Sequence, residues 1–251
     1  MEKLTKQMIK IASMIQEQLL LLQDHRLREV QRLIYVVCTN LDQLQNGRKC
    51  LQQCSCRRWL ALQLVAMGIT WLELVDYDCV EISNLASQGY LQDDLGRPKV
   101  EATADLAQQI NQQLEVHEVN DRFKRNMNVG NAVFCGVDKI EVRRLIWESV
   151  KDRTSFFVDG RMSAEVLRIL TTCDPASWKH YPTTLFGAGE AYVGPCTAKT
   201  TIYCANIAAG FMLAQFTKWL RNLPIDADVQ VNLLSLEMNI LKEGDGYGKS
   251  G

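Results

Sequence analysis

Leu74-Val75-Asp76-Tyr77-Asp78-Cys79-Val80-Glu81-Ile82-Ser83-Asn84-Leu85-Ala86-Ser87-Gln88-Gly89-Tyr90-Leu91-Gln92-Asp93-Asp94-Leu95-Gly96-Arg97-Pro98-Lys99-Val100-Glu101-Ala102 is the stretch on which the fold turns. Its first residues are those of a buried strand that delivers acidic groups at its carboxyl end. A polar loop holding Asn84 follows, and then a helix whose first turn contains Pro98 and Lys99. A missing N–H costs nothing in the first turn of a helix, so Pro98 marks a start. Strand, loop and helix in this order form the edge at which an open α/β sheet receives a nucleotide.

Outward from this stretch, strands and helices alternate. Upstream, Trp59 to Met67 is apolar nearly all round, as a buried helix is, and Gly68 suits its stop. Residues 46–58 lack the valine-rich strand expected ahead of such a helix, and Leu51 to Arg58 contain no glycine. Downstream, the spacing of Val100, Ala104, Ala107 and Ile110 predicts a helix over about 97–112, and Leu114 to Val119 a strand. Asn131 to Cys135 and Ser155 to Val158 are short apolar runs flanking a helix over 140–149. This alternation argues for a mostly parallel sheet. Ala164 to Thr172 is expected in a second, antiparallel layer and residues 173–198 in a long crossing loop. Thr200 to Leu220 predicts an apolar helix and Val229 to Leu241 a closing strand.

The expected fold is therefore α/β and Rossmann-like, a mostly parallel sheet with flanking helices, extra antiparallel strands in the C-terminal half and an N-terminal helical segment. Residues 1–47, rich in Leu, Ile, Gln and Arg with a stripe of Met8, Ile11, Ile15, Leu19 and Leu22, form that segment. Residues 48–241 form the nucleotide-binding domain and 242–251 a flexible tail.

Composition excludes several classes of function. The chain has 251 residues, 47% of them hydrophobic, enough for one large α/β domain with a sizeable core. A formal net charge of −1 without long runs of one sign gives no footprint for nucleic acid or an anionic membrane. The first apolar run, Leu19 to Leu22, is too short to span a membrane and follows no secretory leader. Nine cysteines at irregular spacing then point to a reducing cytoplasm rather than to a disulfide framework. Cys50, Cys54 and Cys56 lie close together, but no second Cys/His pair completes a tetrahedral set, so no zinc is expected.

The pattern Asp76-x-Asp78-x-Val80-Glu81-x-Ser83-Asn84-Leu85-x-x-Gln88, followed by Gly96-x-Pro98-Lys99-Val100-x-Ala102, resembles the signature of the ThiF/MoeB superfamily. These adenylating enzymes include the ubiquitin-activating enzymes. The resemblance implies an ATP- and magnesium-dependent adenylyltransferase. Asp76 would take the ribose hydroxyls, Asn84 and Lys99 the phosphates, and Asp138, at the end of Phe134-Cys135-Gly136-Val137-Asp138, the magnesium ion. Lys99 at a helix N-terminus fits this assignment, because ammonium and macrodipole are both positive and an anion between them resolves the conflict. The sequence departs from the family pattern twice. The glycine-rich loop that lets backbone approach phosphate is replaced by Leu51 to Arg58, and Ser87 stands where the family carries an Arg. Arg57, Arg58 and Arg97 are the cations available to replace it.

A nucleophile is placed by a second, shorter resemblance. Gly194-Pro195-Cys196-Thr197-Ala198-Lys199-Thr200-Thr201 precedes the long helix, and a thiol ahead of a helix start sits in positive potential that favours the thiolate. This arrangement is similar to homodimeric activating enzymes in which such a cysteine accepts the modifier as a thioester. Cys196 is the candidate, Cys173 the second choice, and Cys204 is expected in the core. His25, His117 and His180 fit no triad or metal spacing and read as structural or surface residues. The enzyme reading is adenylation of the C-terminal carboxylate of a small ubiquitin-like or sulfur-carrier protein by a homodimer. The competing reading is a catalytically impaired binding module that has lost its nucleotide loop.

Overall fold

The computed structural model describes residues 34–37, 56–186 and 201–241. The stretch around Cys196, residues 51–55 of the glycine-free segment and the tail 242–251 lie outside the described residues, as does the helical reading of residues 1–33. In chain order the elements are β1 (Ile34–Val37), α1 (Cys56–Ala66), β2 (Trp71–Val75), α2 (Ile82–Gln88), α3 (Lys99–Ile110), β3 (Glu115–Val119), β4 (Ala132–Cys135) and α4 (Ile140–Val150). There follow β5 (Phe156–Ser163), β6 (Val166–Thr172), α5 (Pro175–Thr183), α6 (Ile202–Leu220), β7 (Asp228–Asn232) and β8 (Glu237–Ile240).

One eight-stranded sheet runs in the order β3-β2-β1-β4-β5-β6-β7-β8. The first five of these pair in parallel and the last three are added antiparallel. β1 is central and pairs with both β2 and β4, so the strand order reverses between β1 and β4. A reversal of this kind opens a crevice at the carboxyl ends of the strands.

The strands alternate between two buried faces, as a period of two requires. Leu72, Leu74, Phe134, Phe156 and Val158 face a core completed by α1, α3 and α6. Val75, Val133, Cys135 and Phe157 face the opposite core, with Ile146 and Trp147 of α4 and Tyr181 of α5. In α6, Cys204, Ala205, Ala208, Ala209, Met212 and Phe216 form the buried stripe. The small residues in it let α1 lie close.

Four expectations are corrected. Residues 34–37, inside the segment read as helical, form a strand, and it is the strand judged missing ahead of α1. The run of β-branched and aromatic residues Ile34-Tyr35-Val36-Val37 carried that signal, but Leu- and Gln-rich flanks obscured it. Ala164 to Thr172 belongs to no second layer. β6 continues the same sheet from a tight hairpin in which Ala164 takes φ 52°. Part of the expected crossing loop is helix α5, started by Asp174, whose side chain accepts from the Ser177 N–H, and by Pro175 in its first turn. The closing strand is two strands, β7 and β8, paired as a hairpin.

Candidate nucleotide site

The crevice at the carboxyl ends of β2 and β4 is built from three elements. β2 ends at Val75, and the Asp76 N–H still donates to the Val119 carbonyl at 3.1 Å, so the carboxylate leaves the sheet from a fixed position. Residues 78–80 then fold back on 96–98. The Val80 N–H donates to Arg97 O and the Lys99 N–H to Asp78 O, both at 2.9 Å, and Cys79 bridges Pro98. This turn docks the start of α3 beside the end of β2. The third element is the first turn of α1, with Cys56, Arg57 and Arg58, all buried.

A cleft between these elements is lined by Arg57, Arg58, Asp76, Gln88, Tyr90, Lys99 and Thr103, floored by Leu74 and Val100. The Asp76 carboxylate is engaged at both oxygens. Oδ1 accepts the Asp78 N–H at 3.0 Å, and Oδ2 lies 3.2 Å from Arg57 Nη1. Burial pushes its pKa up to about 6, outweighing the Arg57 and Lys99 charges that pull it down. Lys99, only 2% exposed, donates to Asp78 Oδ2 at 3.2 Å. That carboxylate supplies the anion that an ammonium at the positive end of a helix calls for. Arg58 is held elsewhere, 3.3 Å from Asp94 Oδ2, with its guanidinium 4.1 Å above the Tyr90 ring. The Tyr90 hydroxyl meets Thr103 Oγ1 at 3.2 Å, and burial holds that phenol well above its ordinary pKa.

Asp76 and Lys99 thus come together on one cleft. Asn84 and Asp138 are not among its lining residues. Asn84 is fully buried in a capping box at the start of α2, where its Oδ1 accepts the Glu81 N–H at 2.9 Å. The expected loop around Asn84 is therefore helix α2. Asp138 stands between β4 and α4, with Oδ2 shielded from solvent. Ser87 is half-buried and donates to the Ser83 carbonyl at 3.0 Å, contributing no charge. Arg97 lies at the surface on Asp105, at 2.6 Å.

The remaining candidates divide. Cys173 is raised to about 11 by burial and by Asp174, so it holds little thiolate at neutral pH and is a poor nucleophile. Cys204 is buried in the core as expected. Among the described residues no group of three or more His, Cys, Asp or Glu forms a ready metal site. None of the described helices is long and apolar enough to cross a membrane.

Two lining residues, Tyr90 and Thr103, have no place in the sequence reading, and Gln88 has one only as a motif position without a role. Thr103 was within reach of it, because it follows Lys99 by four residues and shares its helix face. Gly136 carried a signal too. A Cβ there would sit 2.8 Å from Arg57 Cγ, so the glycine is what lets the arginine stem cross the end of β4.

A model of the ThiF family matches residues 58–237, well over half of the chain. This chain belongs to the ThiF family. A catalytic subunit of the NEDD8-activating enzyme E1 from Caenorhabditis elegans is 28% identical to this ThiF-family chain over 107 residues. That alignment takes in 41% of the chain and 25% of the relative, so the chain spans about a quarter of that protein's length. The crystal structure of PaaA superposes with a TM-score of 0.64 at 16% identity, covering 86% of this chain and 75% of that one. Escherichia coli MccB, crystallised with AMPCPP and MccA, gives 0.65 at 13% identity, covering 86% and 66%. Both neighbours share the Rossmann-like fold of this ThiF-family protein.

Proposed function

We propose that the protein is an ATP-dependent adenylyltransferase acting on the C-terminal carboxylate of a small ubiquitin-like or sulfur-carrier protein. The observation that carries this reading is the meeting of Asp76 and Lys99 on one cleft at the carboxyl edge of a parallel sheet, in a chain of the ThiF family. The donor set suits a nucleotide: a carboxylate for ribose hydroxyls, buried cations for phosphate, and hydroxyl and amide groups on Tyr90, Thr103 and Gln88. ATP would supply the adenylyl group, the carboxylate oxygen bonding to the α-phosphorus as pyrophosphate leaves. Lys99 would neutralise charge that develops on the phosphates in the transition state. Asp138, at the end of the strand beside the crevice, would hold magnesium together with phosphate oxygens, a usual arrangement for that ion.

Further parts of the reading are the transfer of the acyl group to Cys196 as a thioester, a homodimeric assembly and a cytoplasmic location. MccB was crystallised with MccA and a nucleotide analogue, and by analogy the partner here presents a flexible peptide end to the crevice.

ATP–pyrophosphate exchange in the presence of candidate carrier proteins tests the proposal. Exchange should fall about 100-fold or more in Lys99→Ala, as for removal of a preorganised charge-stabilising donor, and should vanish in Asp138→Ala. Absence of nucleotide binding by the wild-type protein at millimolar ATP would sink it. A thioester that persists in Cys196→Ala would remove that cysteine from the mechanism.

One observation favours the second reading, a binding module that keeps the fold without turnover. Arg57 occupies the carboxylate that the ribose requires. The same nucleotide-binding measurement separates the two.

A further inference from the structure

The position that carries a phosphate-binding arginine in the resembled enzymes is Ser87 in this chain. Three arginines lie close enough in sequence to replace it, and the structure distinguishes them. Arg97 is on the surface and paired with Asp105. Arg58 is turned toward Asp94 and packed on Tyr90. Arg57 alone of the three spans the crevice. It leaves the first turn of α1, its stem crosses Gly136 at the end of β4, and its guanidinium reaches Asp76 at the end of β2. The phosphates of a nucleotide in a fold of this kind lie in the same place, at the helix start beside the reversal of strand order. The first turn of α1 has no acidic residue of its own, and the Asp76 carboxylate is a counter-charge for the guanidinium.

We propose that Arg57 exchanges partners when nucleotide binds: it pairs with Asp76 in the empty site and moves to the phosphates as Asp76 takes the ribose hydroxyls. Arg57 is thus both the occupant of the ribose carboxylate and the replacement for the cation lost at Ser87. The exchange leaves each group with a partner. The guanidinium trades a carboxylate for a phosphate anion, and the carboxylate trades an ionic partner for two hydroxyl donors. The burial that raises Asp76 despite its partner keeps the resting pair from being a deep trap. Arginine suits the role better than lysine, because its planar fork serves carboxylate and phosphate with the same geometry.

This inference rests on the nucleotide reading of the cleft, and titration calorimetry with ATP, adenosine and tripolyphosphate tests the two separately. In Arg57→Met, ATP affinity should fall about tenfold or more, the usual effect of losing a hydrogen bond to a charged group, while adenosine binds no worse than to wild type. Arg57→Lys should recover part of the ATP affinity. Asp76→Asn releases the arginine without removing it, so tripolyphosphate should bind more tightly and adenosine more weakly. This second variant serves if Arg57→Met does not fold. Equal loss of ATP and adenosine binding in Arg57→Met, or tripolyphosphate affinity unchanged in Asp76→Asn, overturns the exchange and leaves the nucleotide reading standing. Wild-type protein that binds neither ATP nor adenosine overturns both.

Discussion

Burial and charge pull in opposite directions at Asp76, and the balance has a measurable consequence. The folded carboxyl titrates at about 6 against an ordinary 3.8, so the folded state holds this proton more tightly than the unfolded chain. The associated stability is complete below about 4 and is lost as pH rises through 6. Asp76→Asn removes the titration. Denaturant unfolding of the two proteins should show the wild type losing on the order of 2 kcal/mol relative to the variant across that window, and parallel pH profiles would refute it. Gly89 is a second residue whose identity is forced. It closes α2 at φ 70°, and a Cβ there would lie 2.3 Å from Trp59 Cζ2. Both the left-handed backbone and the ring oppose a side chain, so Gly89→Ala should cost about 2 kcal/mol or more in chemical denaturation.

Helix α5 shows how an element is set by its first residues. The Asp174 side chain accepts the Ser177 N–H at 2.8 Å, and the Ser177 hydroxyl accepts the Asp174 N–H at 3.2 Å. Two orphan donors of the first turn are thereby satisfied. The cap holds in place a helix that presents Tyr181 to Asp159 at 3.0 Å and His180 to Asp228 at 2.9 Å. Asp174→Ala should lower stability by about 1 kcal/mol, with the altered amide exchange confined to α5 and its sheet contacts. Asp228, at the other end of this contact, is fully buried, which raises its pKa. The hydrogen bonds from Arg168 and His180 outweigh that and hold it low. Its contribution is therefore present above the ordinary carboxylate range and lost in acid.

At the scale of the molecule, one aromatic cluster ties helix α6 to the parallel strands. Phe134 of β4, Phe156 of β5 and Phe216 of α6 lie with ring centroids 5.2 to 5.8 Å apart, and Trp219 extends the cluster against Phe156 at 5.2 Å. Helix α6 reaches the parallel strands through these rings and also packs on β6, so truncation of Phe216 loosens the helix against the sheet. Phe216→Ala should cost about 3–5 kcal/mol, the range for a large aromatic removed from a packed interior. A single cooperative unfolding transition should remain, because β4, β5 and α6 share that core.

The sequence by itself determined the family resemblance, the α/β class and the strand end and helix start of the 74–102 edge, because these rest on local spacing. A strand end, a proline in a first turn and a lysine one residue later are fixed by neighbours along the chain. Most helices and parallel strands were legible for the same reason, since two-faced burial gives apolar runs and amphipathic spacing. Tertiary structure decided what local pattern could not carry. The strand at 34–37 is defined by its two partners in the sheet rather than by its flanks. The expected second layer is one continuous sheet, because hairpin pairing and not hydrophobic pattern chooses the neighbour. Around the cleft, the sequence brought Asp76 and Lys99 to one edge and held the local capping box of Glu81 and Asn84, but only packing gave Asp78 to Lys99. Arg57 reaches Asp76 across a glycine that follows a different strand. Which partner a buried charge takes depends on what lies within about 4 Å of it in space, and residues 57, 76 and 136 are brought that close only by the fold.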